Sequence, residues 1–304
     1  MKMTHSLLKM ADLSKTEIDD ILNLAVQLKY ETKNKIAHPY LAGKTLGMIF
    51  QKSSTRTRVS FEVGMYQLGG QALFLSSRDL QIGRGEPVED TARVLGRYLD
   101  GIMIRTFAQK EVEDLAQFSG IPVINGLTDY AHPCQVLADL MTIREYKGAL
   151  EGLKLCFIGD GNNMANSLIV GCLTAGMSVA IACPKNHMPH PDAVAFGKKY
   201  PGKLVITDDV KAAATGADVL YTDVWASMGM EAEANQRMLD FKGFQINAEI
   251  EALANPGVMV QHCLPAHREE EITADVFERH AGEIFEEAEN RLHAQKAVMV
   301  RLMS

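Results

Sequence analysis

Short apolar runs that alternate with helically spaced segments constrain this chain more than any other feature. Residues 46–50, 71–75, 101–104 and 122–125 are such runs, and 153–158, 178–183, 204–207, 218–222 and 258–261 repeat the pattern. Runs this short, joined by connections long enough to hold a helix, read as parallel strands buried on both faces. Strand–helix alternation met twice predicts an α/β fold of two doubly wound parallel-sheet domains. The restart falls at 148–152, bracketed by Gly148 and Gly152, with a helix over 133–146 as the bridge. Residues 14–35 predict a helix opened by a capping box, Ser14 with Glu17. The last helix is expected over 286–302, packing through Ala288, Leu292, Ala297, Val298 and Val300.

The first run leads into Ser53-Ser54-Thr55-Arg56-Thr57-Arg58. A helical pattern follows, in which Val59, Phe61, Val63, Tyr66 and Leu68 are expected mostly on one side. Hydroxyls, guanidinium groups and free amides therefore meet at a strand-to-helix junction. A helix N-terminus attracts anions, because its first amides have no intrahelical acceptor and the macrodipole is positive there. Arginine adds a planar fork that matches phosphate oxygens. An N-cap beside solvated arginines would explain a lone Ser-Thr pair; this density of donors predicts a phosphate site. Gly43-Lys44-Thr45 imitates the end of a P-loop, but His38 stands where the leading glycine belongs and the tripeptide precedes its strand. It reads as a turn.

Composition removes several classes. A net charge of −7 over 304 residues gives no global attraction to nucleic acid or anionic lipid, so an anion site must be local. Cys134, Cys156, Cys172, Cys183 and Cys263 are scattered, never in a CxxC pair, which suits a reducing compartment. Residues 1–6 lead into a polar helical pattern without a signal-peptide core, and no apolar run reaches the roughly 18 residues of a membrane span. A cytoplasmic protein without nucleic-acid or membrane partners is expected.

In open α/β sheets, ligands bind at the carboxyl ends of the strands. There the first half places the Ser53–Arg58 cluster, Arg105, and His132 with Gln135. The second half places Gly159–Asn163, Asp223 with Ser227-Met228-Gly229, and His262-Cys263-Leu264-Pro265. Their shared location predicts a cleft between the domains. Singly, each has a plainer reading: Arg105 as a solvated strand end, His132 and Asp223 as helix caps, Cys263 as a small buried hydrophobe. Neither His262, Cys263 and His267 nor Cys183, His187 and His190 has paired-ligand spacing, so no metal is expected. Gly159-Asp160-Gly161-Asn162-Asn163-Met164 follows a strand and opens a helix, like a dinucleotide fingerprint. Met164 replaces the third glycine, and the next strand ends in Cys183-Pro184 without an acid for a ribose, which argues against a dehydrogenase.

Ser54-Thr55-Arg56-Thr57-Arg58, His132-Pro133-Cys134-Gln135, Asp223-Val224-Trp225-Ala226-Ser227-Met228-Gly229 and His262-Cys263-Leu264-Pro265, in this order and with Glu289-Asn290-Arg291 in the last helix, resemble the ornithine carbamoyltransferases of the aspartate/ornithine carbamoyltransferase superfamily. The first two motifs are shared by carbamoyltransferases in general; the Ser-Met-Gly loop and His-Cys-Leu-Pro point to ornithine. The resemblance covers nearly the whole chain. It implies a carbamoyl-phosphate domain over 1–148, an ornithine domain over 149–285, and a C-terminal helix, 286–304, returning to the first domain. It also implies a homotrimer or a multiple of trimers, no cofactor, and transfer of the carbamoyl group of carbamoyl phosphate to the δ-amine of L-ornithine, a step of amino-acid biosynthesis.

By position, Ser54, Thr55, Arg56 and Thr57 would hold the phosphate, while Arg105, His132 and Gln135 would contact the carbonyl and amide. Gln81 would be lent to a neighbouring subunit. Asn163, Asp223, Ser227 and Met228 would bind ornithine, Cys263 and Leu264 would line the reacting centre, and Arg291 would return to carbamoyl phosphate. Arg105, His132 and Cys263 are the expected catalytic set. Ala266-His267-Arg268 departs from the family pattern, which leaves Arg268 without a role. Transfer to putrescine or a modified ornithine is the alternative reaction, and an idle amino-acid or phosphate sensor the alternative class.

Overall fold

The structure is a computed structural model and describes residues 6–78, 80, 85–226 and 233–304. The chain divides into two compact units, Met1–Ala138 with Asn290–Ser304, and Asp139–Glu289.

The first unit contains α1 (Lys15–Lys33), β1 (Thr45–Phe50), α2 (Thr55–Gln67), β2 (Gln71–Ser76), α3 (Val88–Leu95), β3 (Gly101–Arg105), α4 (Gln109–Ser119), β4 (Val123–Leu127) and the beginning of α5 (Pro133–Lys147). The capping box forms: Ser14 Oγ accepts the Glu17 N–H at 3.3 Å, and the Glu17 carboxylate accepts the Ser14 N–H at 2.9 Å. All four strands run parallel in the order β2-β1-β3-β4. Central β1 and β3 are buried nearly throughout, whereas edge strand β2 is half exposed. Ile49, Ile102, Ile104 and Val123 of the sheet pack with Ala92, Val112 and Leu115 from α3 and α4. Gly43-Lys44 forms part of the turn before β1, as its sequence suggests.

One expectation about α2 fails. Val59, Val63 and Tyr66 are exposed, and the buried side is Phe61, Gly64, Met65 and Leu68. Spacings of four and three put 59, 63 and 66 on one face and 61, 64–65 and 68 on another. Two apolar stripes share this helix, and only the packing chooses between them.

The second unit contains β5 (Lys154–Ile158), α6 (Asn163–Thr174), β6 (Ser178–Ala182), α7 (Pro191–Gly197), β7 (Leu204–Thr207), α8 (Val210–Ala214), β8 (Val219–Thr222), α9 (Ala234–Asp240), α10 (Ala248–Glu251), β9 (Met259–His262), α11 (Ala274–Arg279) and the beginning of α12 (Ala281–Met303). Its five strands are parallel in the order β7-β6-β5-β8-β9, that of a doubly wound sheet. Cys156, Ile158, Leu220 and Val260 form a core with Phe241, Ile272, Phe277 and Ile284. Helix α12 starts five residues before the expected 286, because fully buried Ile284 is held by this core although Gly282 weakens the local helical signal. Helices α5 and α12 each cross a unit boundary, after Ala138 and after Glu289. Among the described residues no helix is long and apolar enough to cross a membrane.

Candidate functional site

In the first unit, β1 lies between β2 and β3, so the segment after β1 opens at the point where the strand order reverses. Ser54 caps α2: its Oγ accepts the Thr57 N–H at 3.2 Å, and its carbonyl accepts the Arg58 N–H at 3.1 Å. The Thr55 and Arg56 amides, ahead of these, point out of the helix end. Arg105 ends β3 beside Phe50 of β1, is buried, and accepts the Gln51 N–H on its carbonyl at 2.9 Å. His132 precedes Pro133, the first residue of α5, and its carbonyl accepts the Gln135 N–H at 3.2 Å. Arg291, from α12, donates to Gln135 Oε1 at 2.6 Å, to Thr57 Oγ1 at 3.3 Å and to Gln295 Oε1 at 3.2 Å. Burial, and then the positive charges of Arg291, Arg105 and Arg56, hold the His132 imidazole well below its usual pKa. A neutral imidazole thus stands among three guanidinium groups, beside a helix N-terminus.

Arg58 is turned away from this group. It pairs with Glu62 at 3.0 Å and stacks over Phe74 at 3.7 Å, one turn along the outer face. Lys52, which the sequence reading passed over, is buried, bonded to Asp129 and set over the Phe107 ring at 4.4 Å. Gln81 lies outside the described residues.

In the second unit the reversal lies between β5 and β8. Asn162 caps α6, accepting the Met164 and Ala165 N–H groups at 2.9 and 3.2 Å, and Asn163 is the first helical residue. Asp223 follows β8 directly. Its carboxylate accepts Asn162 Nδ2 at 2.9 Å, the Val224 N–H at 2.8 Å and the Cys263 thiol at 3.0 Å. Burial, and then the neighbouring Asp223 charge, push the Cys263 thiol well above its usual pKa, so Cys263 is a hydrogen-bond donor to Asp223. Ser227 and Met228 lie outside the described residues.

The turn that carries Cys263 is organised by His262. Its Nδ1 accepts the Leu264 N–H at 2.9 Å, so the ring proton sits on Nε2, which donates to Glu271 at 2.9 Å. Glu271 also accepts the His267 N–H at 2.6 Å. Leu264 adopts φ 58°, rare for a branched side chain, and precedes a cis Leu264–Pro265 bond. His267, Glu270 and Glu271 have side-chain ligand atoms within 4.8 Å of one another. One Glu271 oxygen, Oε1, is engaged by His262 and the His267 amide.

Gly161, which matches the dinucleotide pattern, is packed against protein. A Cβ there would lie 2.3 Å from the backbone of Met188 and Pro189, and its N–H donates to the His187 carbonyl at 2.9 Å. The glycine makes room for a protein segment. Behind it, Arg237 of α9 bonds both Asp160 and the Trp225 carbonyl, tying the loops after β5 and β8 together. Asn162 lies in the Gly159–Asn163 stretch that the sequence singles out, though without a role of its own, and Arg237 is not singled out at all. Asn162 carries the cap signature; Arg237 looks like any helical surface charge.

Residues 5–145 match the family model described as the carbamoyl-P binding domain of aspartate/ornithine carbamoyltransferase, and 151–302 match its Asp/Orn binding domain. The chain is 55% identical to an ornithine carbamoyltransferase of Syntrophotalea carbinolica over 99% of its own length and all of that protein's. It is 56% identical to one from Anoxybacillus flavithermus, over 97% of this chain and 96% of the other. Among solved structures, an ornithine carbamoyltransferase from Pyrococcus furiosus superposes with a TM-score of 0.93 at 49% identity, covering 98% of this chain and 96% of that one.

Proposed function

The chain belongs to the aspartate/ornithine carbamoyltransferase family, and from that premise we propose that it transfers the carbamoyl group of carbamoyl phosphate to the δ-amine of L-ornithine, giving L-citrulline and phosphate. The observation that carries the reading is a buried, neutral His132 surrounded by Arg56, Arg105 and Arg291 beside the capped start of α2. The grouping suits a dianionic leaving group next to a carbonyl.

In this reading the phosphate sits on the amides and hydroxyls of Ser54, Thr55 and Thr57, with Arg56 and Arg291 as its clamp. Arg105 and His132 donate to the carbonyl oxygen, where negative charge grows as the amine attacks, and Gln135 meets the carbamoyl amide. Donors aimed at charge that exists only near the transition state lower the barrier rather than merely tightening binding. A neutral His132 serves here, since it donates without holding the product phosphate as a further cation would.

Asn163 and Asp223, with Ser227 and Met228, take ornithine, and Leu264 and Cys263 line the reacting centre. The attacking amine must lose a proton that it ordinarily holds to about pH 10. Cys263 already carries its proton and donates it to Asp223, so the accepting group on this side is Asp223. The reading requires no metal or cofactor.

We extend the reading to a cytoplasmic homotrimer, or a multiple of trimers, in which Gln81 serves a neighbouring subunit. Exposed Val59, Val63 and Tyr66 on α2, with Leu73 and Phe74 on β2, suit a subunit face. Citrulline formation from carbamoyl phosphate and ornithine, compared with putrescine at equal concentration, tests the assignment. Product with putrescine alone, or binding of both substrates without product, would overturn it.

A further inference from the structure

Helix α12 buries polar side chains where a surface helix would expose them. Within the first unit these are Asn290, Arg291, His293, Gln295 and Lys296. Lys296 is fully buried. Its Nζ donates to Thr32 Oγ1 at 2.6 Å and to Gln67 Oε1 at 2.8 Å, and it lies 3.1 Å from His38 Nε2. All three are acceptors. Thr32 spends its own hydrogen on the Leu28 carbonyl at 2.7 Å. His38 Nδ1 is 2.7 Å from the Ile36 carbonyl and so carries the ring proton, which leaves a lone pair on Nε2. Three acceptors match the three N–H bonds of an ammonium group. Burial pulls the lysine pKa down to about 8 against the opposing pull of the Glu31 charge. The titratable groups facing it are His38 and, behind it, Glu31 of α1, which lies 3.8 Å from His38 Nδ1; α2 offers neutral Gln67.

A desolvated ammonium held only by neutral acceptors is a costly way to fill space. Its placement suggests what it does. Along α2, Thr57, Ser60, Gly64 and Gln67 share one face. Thr57 bonds Arg291, Ser60 bonds Gln295 at 3.0 Å, and Gln67 bonds Lys296. At Gly64 a Cβ would lie 3.0 Å from Met299 Cε and 3.2 Å from Lys296 Cγ, so the two helices approach as closely as glycine allows. The ladder runs from the cage at the end of α2 back to its N-terminus, where Arg291 sits. Sliding α12 by one residue would shift Arg291 by about 1.5 Å and rotate it by about 100°.

We propose that Lys296 is a positioning residue for Arg291: seated among Thr32, His38 and Gln67, it fixes the register of α12 along α2 and so holds the Arg291 guanidinium on Thr57 at the phosphate-binding end. The inference rests on the reading of residues 54–57 and Arg291 as the carbamoyl-phosphate site.

The test is steady-state citrulline formation by the full chain, with Lys296→Met, Arg291→Met and the double variant, each shown to be folded by circular dichroism. Lys296→Met is expected to raise KM for carbamoyl phosphate about tenfold or more, since misplacement on the ångström scale is felt strongly at a charged site. KM for ornithine should stay within twofold. Adding Lys296→Met to Arg291→Met should change KM for carbamoyl phosphate less than twofold. In the unmodified chain that KM should rise above about pH 8, where the ammonium loses one of its three N–H bonds, and Lys296→Met should lack this rise. Should Lys296→Met not fold, Gln67→Leu removes one acceptor and reads the same split between the two KM values. A normal KM for carbamoyl phosphate, equal rises in both KM values, or independent effects in the double variant would overturn the positioning role while leaving the enzyme assignment intact. An unmodified chain that forms no citrulline would instead overturn the assignment, and the inference with it.

Discussion

Replacing Glu287 by glutamine and by alanine should separate a protonated buried acid from a charged one. Glu287 and Asp139 are both fully buried. Glu287 accepts the His262 N–H at 3.0 Å and the Tyr221 hydroxyl at 3.4 Å, and it hydrogen-bonds Asp139. Burial, and then the Asp139 charge, push the Glu287 carboxyl well above the usual carboxylate range. Two hydrogen-bonded buried carboxyls hold one proton between them.

Glutamine keeps most of that state, with a carbonyl for the His262 N–H and an amide hydrogen for Asp139 at the loss of the long bond from Tyr221, so its cost should be about 1 kcal/mol. Alanine strands both the N–H and the Asp139 charge, for about 3–5 kcal/mol. The pH dependence follows from the same proton. Above the ordinary carboxylate pKa the folded chain holds one proton more than the unfolded chain, so folding stability falls as pH rises, by about 1.4 kcal/mol per unit, until the raised pKa is passed. The glutamine variant lacks this slope. As pH rises above the ordinary carboxylate range, the unmodified chain should therefore lose stability relative to Glu287→Gln. Urea unfolding followed by fluorescence measures this within the second unit, because Trp225 is the only tryptophan in the chain and is buried there. Parallel pH curves, or a glutamine variant as unstable as the alanine one, would refute the shared proton.

Three further outcomes are expected. Arg56→Gly should raise the barrier by about 3 kcal/mol or more, a loss of at least about a hundredfold in kcat/KM for carbamoyl phosphate; near-normal turnover would remove Arg56 from the phosphate clamp. Gly161→Ala should destabilise the second unit by about 1–3 kcal/mol, because its Cβ meets the Met188–Pro189 backbone. Gly282→Ala, which meets nothing within 4 Å, should be neutral or slightly stabilising, and equal thermal shifts for the two would contradict the packing. Burial pushes the Cys134, Cys156 and Cys183 thiols up to about 12 and raises Cys172 and Cys263 as well. Iodoacetamide at pH 7.5 should then leave all five thiols unmodified in the folded protein while labelling the unfolded chain; fast labelling of Cys263 in mass spectra would contradict its donation to Asp223.

Local chemistry determined much of this protein before any tertiary contact was known. The period of the apolar runs placed the strands, the Ser14–Glu17 box opened α1, and the donors from Ser54 to Thr57 fell where a strand meets a helix. These are legible because strand and helix periods, caps and turn residues act over a few positions. Strand order was not legible, and it is strand order that sets both reversal points beside β1 and β5. Nor did periodicity choose between the two apolar stripes of α2, since either could be buried until α12 and the sheet were in place.

Most of all, periodicity said nothing of where the polar side chains of α12 go, and only the family resemblance gave Arg291 a place. Folding buries Glu287, Arg291 and Lys296 against partners far away in the chain: Arg291 reaches Thr57 across 234 residues, and Lys296 reaches Thr32 across 264. Whether a charge is solvated or buried, and whether it keeps its proton, depends on the dielectric and the partners that tertiary structure supplies.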